Sequence, residues 1–302
     1  MRAPVVHHPA YVAPLPAAHR FPMPKFARLM AYLRVSGLVL PAQEFVPEPA
    51  PRAWLELAHE PAYVAGVLEQ RLDEAAVRRL GLPLSPALAL RSRCAVAGTV
   101  LAARLALEHG VACNTAGGSH HAFAGFGAGF CVFNDVAVAA RLLVAEGVIG
   151  RALVVDLDVH QGDGTAAIFA RDPRVSTLSV HCRANYPARK QQSDLDVALD
   201  AGVGDAEYLA VVESLLPPAL DRVRPDLVFY NAGVDPHADD RLGRLALSDE
   251  GLAERERCVL SSCRARGVPL ACVVGGGYAH DLDLLARRHA LLHEAIHALP
   301  TW

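Results

Sequence analysis

The chain has 302 residues, 52% of them hydrophobic and 20% charged, and a formal net charge of −3. That length suits a single large α/β domain spanning residues 1–302. The near balance of charge, without a basic run, excludes a field for holding nucleic acid. No apolar run is long and pure enough to span a bilayer. The first ten residues carry His7, His8 and two prolines and do not read as a secretory signal. Seven cysteines are scattered with no C-x-x-C spacing, a pattern expected of reduced thiols in a cytoplasm. Oligomeric state leaves no trace in the sequence.

Residues 1–60 are proline-rich and irregular, with one helix predicted near 25–36. Helical patterns follow at 61–71, 73–80 and 86–109, the last ended by Gly110. The chain then alternates. Strands are predicted at 111–114, 151–156, 175–181, 226–231 and 268–274. Helices are predicted at 135–146, 165–170, 206–223, 249–266 and 282–299. Pro217-Pro218 should kink or break the helix containing them. Near-continuous apolar strands imply burial on both faces, hence a central, mostly parallel sheet sandwiched by helices. In such sheets ligands bind beyond the carboxyl ends of the strands, and the polar clusters fall there.

The run from Val154 to Gly164 places Asp156, Asp158, His160 and Asp163 just past a buried strand. On an extended backbone, Asp156, Asp158 and His160 alternate and point the same way. Two buried carboxylates side by side call for a positive charge between them. Asp158, His160 and Asp235 would supply three metal ligands and leave an open position, the pattern of a catalytic site. His237, Asp239 and Asp240 are weaker competitors in a loop. His120 and His121 follow Gly117-Gly118-Ser119, and each needs a partner to fix its tautomer. Asp156 and Asp163 are carboxylates free for that purpose. In Gly275-Gly276-Gly277-Tyr278, the glycines allow close backbone approach and the Tyr278 hydroxyl can donate to an oxyanion. Phe130, in a glycine-rich stretch, is the better candidate to wall a channel; Phe133 reads equally well as core.

Together these segments resemble the histone deacetylase family. The matching motifs are Gly117-Gly118-Ser119-His120-His121, Gly129-Phe130-Cys131, residues 156–164, residues 231–235 and Gly275-Gly276-Gly277-Tyr278, in the family's order. Residues 230–235 with Asp240-Arg241-Leu242-Gly243 are closest to its short class IV branch and bacterial relatives. The resemblance implies the arginase–deacetylase fold and zinc-dependent hydrolysis of acylated lysine or a related acylated amine, with ferrous iron as another metal such ligands accept. It makes Asp158, His160 and Asp235 the metal ligands. His121 paired with Asp163 becomes general base and acid, His120 paired with Asp156 orients the water, and Tyr278 binds the acyl oxygen. Gly129, Phe130 and Gly276 would border the substrate channel. A structural potassium ion would be held by Asp156, the carbonyls of Asp158 and His160, and Ser179. Three positions depart from the larger classes: Gln161 replaces a histidine, residues 82–90 lack an acid that grips substrate, and Tyr186 stands for a second tunnel phenylalanine. An acetylpolyamine or other small acyl amine is therefore an alternative substrate. A two-manganese ureohydrolase and a non-catalytic acyl-lysine binder are the rival readings.

Overall fold

The computed structural model describes residues 3–300 and Trp302; Met1, Arg2 and Thr301, within the span expected to form one domain, lie outside the described residues. In chain order the elements are β1 (Val5–Val6), α1 (Lys25–Val35), β2 (Glu44–Phe45), α2 (Arg52–Leu55), α3 (Pro61–Leu68), α4 (Glu74–Leu80), α5 (Pro86–His109), β3 (Val111–Asn114) and α6 (Asp135–Ala145). There follow β4 (Ala152–Asp156), α7 (Asp163–Phe169), β5 (Val175–Cys182), β6 (Leu195–Leu199), α8 (Asp205–Val223), β7 (Leu227–Asn231), α9 (Asp249–Arg264), β8 (Leu270–Val273) and α10 (Leu282–Ala298). Local chemistry sets the ends of the longest helix. Ser85 Oγ accepts the Leu88 N–H at 3.1 Å, Pro86 opens the first turn, and Gly110 closes the helix with φ +86°.

The strands form one sheet in the order β2-β1-β3-β8-β7-β4-β5-β6. Every pairing within it is parallel. Helices cover both faces: α5, α6 and α7 pack in succession on one side, and α1, α10, α9 and α8 on the other. The inner strands β3, β4, β7 and β8 are buried at every residue, which is why their sequences are apolar without alternation.

The structure corrects three expectations. First, β1, β2 and β6 were not foreseen. The first two have two residues each, too short to show a period, and β6 is an edge strand with mixed burial. Second, α8 runs unbroken through Pro217 and Pro218. The prolines remove the donors to the carbonyls of Glu213 and Ser214, but both of those residues are exposed, which leaves the carbonyls open to solvent and lowers the cost of the lost N–H groups. Third, β4 ends at Asp156, so Asp156, Asp158 and His160 do not share an extended strand.

One buried ion pair holds the strand ends that carry the site. Arg255 of α9 donates to the carbonyls of Leu157 (3.2 Å) and Gly233 (2.7 Å), just past β4 and β7. It also pairs with Glu256, whose other oxygen accepts the Tyr230 hydroxyl at 2.7 Å. Removing the guanidinium leaves a buried carboxylate without its cation. Arg255→Met should lower unfolding stability by about 3–5 kcal/mol. Arg255→Met/Glu256→Gln should regain part of it, as read by denaturant titration.

Candidate metal centre and cleft

Three buried side chains meet beyond the carboxyl ends of β4 and β7. Asp158, His160 and Asp235 each offer one ligand atom, all within 4.8 Å of one another. His160 Nδ1 lies 2.9 Å from Asp158 Oδ1 and 3.1 Å from Asp235 Oδ2. The backbone fixes both carboxylates. Asp158 Oδ1 accepts the His160 N–H at 2.9 Å, a tight turn that replaces the strand alternation. Asp158 Oδ2 accepts the Gly276 N–H at 2.8 Å, and Asp235 Oδ1 the Val159 N–H at 2.9 Å. A Cβ at position 276 would overlap Asp235 Oδ2, so only glycine brings its N–H this close.

The electrostatics of this trio favour a cation. Burial and the neighbouring Asp158 carboxylate push Asp235 up to about 7. Burial alone would lower His160, but Asp158 and Asp235 outweigh it and raise the imidazole to about 10. A single Nδ1 cannot satisfy two carboxylates with one proton. A divalent ion at their centre would, and a set of two carboxylate oxygens and one imidazole nitrogen fits zinc or ferrous iron.

Two His–Asp pairs flank the trio. His120 Nδ1 is 2.7 Å from Asp156 Oδ2, and His121 Nδ1 is 2.6 Å from Asp163 Oδ1. Their rings lie 4.1 Å apart. Burial opposes charging either ring, yet the carboxylates of Asp156 and Asp158 raise His120 to about 9. Burial, with charged His120 beside it, lowers His121 to about 4. Asn231, at the end of β7, donates to Asp156 Oδ1 at 3.0 Å. Asp156 thus turns onto His120 and Asn231, and its Oδ1 also accepts the backbone N–H of Asp158 at 3.2 Å. Ser179 faces Asp156 across the β4–β5 pairing and lies 2.9 Å from His181 Nδ1 through its hydroxyl.

Tyr278 closes the opposite side, its ring 6.3 Å from that of His160. Asp240 Oδ2 accepts its backbone N–H at 2.7 Å. Lys25, fully buried on α1, donates to the carbonyls of Gly275 (2.9 Å) and Gly277 (3.4 Å). Burial pushes its ammonium down to about 8. Residues His237 and Asp239, considered as ligands, are engaged elsewhere: His237 Nε2 faces Asp249 at 3.2 Å and Asp239 pairs with Arg288.

A cleft of about 350 Å³ leads to this chemistry, bordered by His121, Gly129, Phe130, His160, Tyr186 and Tyr278. Gly129 and Phe130 both have positive φ, +53° and +68°. For Phe130 this is a strained conformation, held by its N–H to the Leu80 carbonyl at 2.8 Å and by packing against Phe21. Tyr186 stands edge-on to His121 at 4.8 Å. Gly276 borders a small inner cavity of about 30 Å³ behind the trio rather than the cleft itself.

Lys25, Asp135 and Arg255 were not anticipated from sequence, and Asp240, considered as a ligand, instead accepts the N–H groups of Leu242, Gly243 and Tyr278. Asp135 accepts the N–H groups of Gly118 and Ser119 and the Thr99 hydroxyl, fixing the histidine loop. Only a carboxylate at the start of a helix behind a glycine-rich loop hints at it.

The family description "Histone deacetylase domain" matches residues 19–293. The chain is 55% identical, over 98% of both chains, to an uncharacterized protein from Picosynechococcus. It is 37% identical to Histone deacetylase 2 of Arabidopsis thaliana over 61% of this chain, and 34% identical to Histone deacetylase 3 of Oryza sativa subsp. japonica over 82%. It covers 48% and 52% of those two proteins, about half of each. The crystal structure of the HDA15 HD domain superposes with a TM-score of 0.82 over 98% of this chain and 91% of that one, at 20% identity, a likeness of fold. The chain belongs to the histone deacetylase family.

Proposed function

We propose that this protein hydrolyses the amide of an acylated lysine or related acylated amine, using a divalent cation, zinc, held by Asp158, His160 and Asp235. The observation that carries this reading is the convergence of those three ligand atoms beside two His–Asp pairs at the base of one cleft. When bound, the cation would polarise the acyl carbonyl and acidify a water molecule. The residues of the chain do the rest. His121, with Nδ1 held by Asp163, turns its other nitrogen to the cleft, takes a proton from the attacking water and returns it to the departing amine. His120, charged against Asp156, donates a hydrogen bond to that water and orients it. The Tyr278 hydroxyl donates to the acyl oxygen as negative charge gathers there. Phe130 and Tyr186 flank the methylene stem of the substrate. Asp156, the carbonyls of Asp158 and His160, and Ser179 form an all-oxygen set suited to a structural potassium ion. The rival two-metal reading gains nothing from the geometry, since Asp156, Asp163 and Asp240 are each engaged in other contacts.

Acetyl-lysine peptides test this reading directly. Tyr278→Phe should reduce turnover by about 10²–10³ and His121→Ala by about 10²–10⁴, both with metal content retained. Near-normal turnover in either variant would remove the role given to that residue. Asp235→Ala should lose the bound metal outright, measured as zinc per chain in purified protein. Lys25→Met acts at a distance from the reacting atoms. It frees the Gly275–Gly277 carbonyls, and the loss of such a buried charge-assisted bond should lower kcat by roughly 10- to 100-fold without changing metal content.

A further inference from the structure

The mouth of the cleft carries an unusual charge for this chain. Its lining includes Arg20, Arg78, Arg79 and Arg244 and no Asp or Glu. The molecule as a whole has net charge −3, so this is a local arrangement and not a consequence of composition. Elsewhere on the surface some arginines sit against carboxylates, as Arg34 does with Glu44, Arg174 with Asp172 and Arg266 with Asp221, while others, such as Arg151, Arg222 and Arg287, stand apart in the solvent. What sets the mouth apart is that several arginines line one opening without an acid among them. Of these only Arg78 sits against a carboxylate, 3.2 Å from Glu74. Among the described residues, Arg20, Arg79 and Arg244 enter no ion pair. Arg20 lies over the Phe130 ring at 5.2 Å and Arg79 over the Phe126 ring at 4.7 Å. A guanidinium stacked in this way is pre-oriented and keeps its in-plane N–H donors for another group.

The nearby carboxylates are already used. Asp240 accepts the N–H groups of Leu242, Gly243 and Tyr278, and Asp163 holds His121. The arginines also come from three separate segments: Arg20 precedes α1, Arg78 and Arg79 end α4, and Arg244 follows β7. They therefore approach the opening from different sides. A lysine-rich tail or a polyamine would bring like charge to this opening.

We propose that the mouth selects acylated amines bearing a carboxylate within a few bonds of the acyl-amine stem. This specificity rests on the deacylase reading of the site and adds a substrate class to it. The carboxylate is bound by the Arg20, Arg79 and Arg244 guanidiniums while the acyl group passes between Phe130 and Tyr186.

Two probes differing by one charge test the proposal: Nα-capped Nε-acetyl-lysine with a free carboxylate, and the same compound as its carboxamide. A companion pair of acetyl-lysine peptides flanked by Glu or by Lys separates a free carboxylate from an acidic polypeptide as its source. At low ionic strength the carboxylate form should have a kcat/KM higher by about three- to tenfold, and high salt should shrink the ratio. In Arg79→Glu/Arg244→Glu the ratio should invert, and because it is taken within one variant it does not depend on that variant's overall activity. Equal rates for the two probes, or a faster carboxamide, overturn the selection and leave the deacylase reading standing. Hydrolysis of neither probe nor either peptide overturns the deacylase reading instead. Fluorescence anisotropy of the labelled Glu- and Lys-flanked peptides then decides the charge preference alone, and equal affinities would reject it.

Discussion

His160 Nδ1 lies within hydrogen-bonding distance of two buried carboxylates, Asp158 Oδ1 and Asp235 Oδ2. Placing two such groups together away from water is costly, and each must be compensated by fixed partners. The Gly276 and Val159 N–H groups supply part of that compensation. A cation held by Asp158, His160 and Asp235 would supply the remainder. Much of the surrounding structure follows from keeping these acceptors in place. Arg255 clamps the carbonyls of Leu157 and Gly233 so that the segments past β4 and β7 cannot drift apart. Lys25 does the same for the glycine segment past β8.

The sheet order makes the convergence possible. Strands β3, β8, β7, β4 and β5 are consecutive neighbours in space although distant in sequence. Each ends near the site and delivers one part of it: His120 and His121 after β3, Tyr278 after β8, Asp235 after β7, and Asp158 and His160 after β4. Ser179 sits within β5, in register with Asp156. Parallel strands put all of these ends on one edge, and the two helix layers cover the faces, leaving that edge as the place where polar groups gather. The same arrangement separates the functions of neighbouring carboxylates. Asp156 turns to His120, Asp158 to the trio, and Asp163, already on α7, to His121.

How much of this was legible in the sequence follows the strength of the local signal. The inner strands and α5 were placed closely, because burial on both faces writes a continuous apolar run and because Ser85-Pro86 and Gly110 mark helix ends. The two-residue strands β1 and β2 carry no periodicity and were invisible. The prolines of α8 misled because helix breaking depends on whether the orphaned carbonyls can reach water, and exposure is not written locally. At the site, Asp158, His160, Asp235, His120, His121 and Tyr278 stood out as polar groups at strand ends, and the family resemblance gave them an order. Lys25 and Arg255 did not, since a single basic residue in an amphipathic helix reads as solvated surface. Their burial depends on carbonyls more than 20 residues away along the chain for Arg255, and 250 for Lys25. The charge of the mouth was hidden for a related reason: Arg20, Arg79 and Arg244 form a group only after folding.

X-ray absorption at the zinc edge of the purified protein tests the central claim most directly, because it reads the ligand set without relying on turnover. The account predicts one metal with only oxygen and nitrogen neighbours at about 2.0–2.2 Å and the outer-shell signature of a single imidazole. Sulfur in the first shell, several imidazoles, or a second metal at about 3.5–4 Å would contradict it.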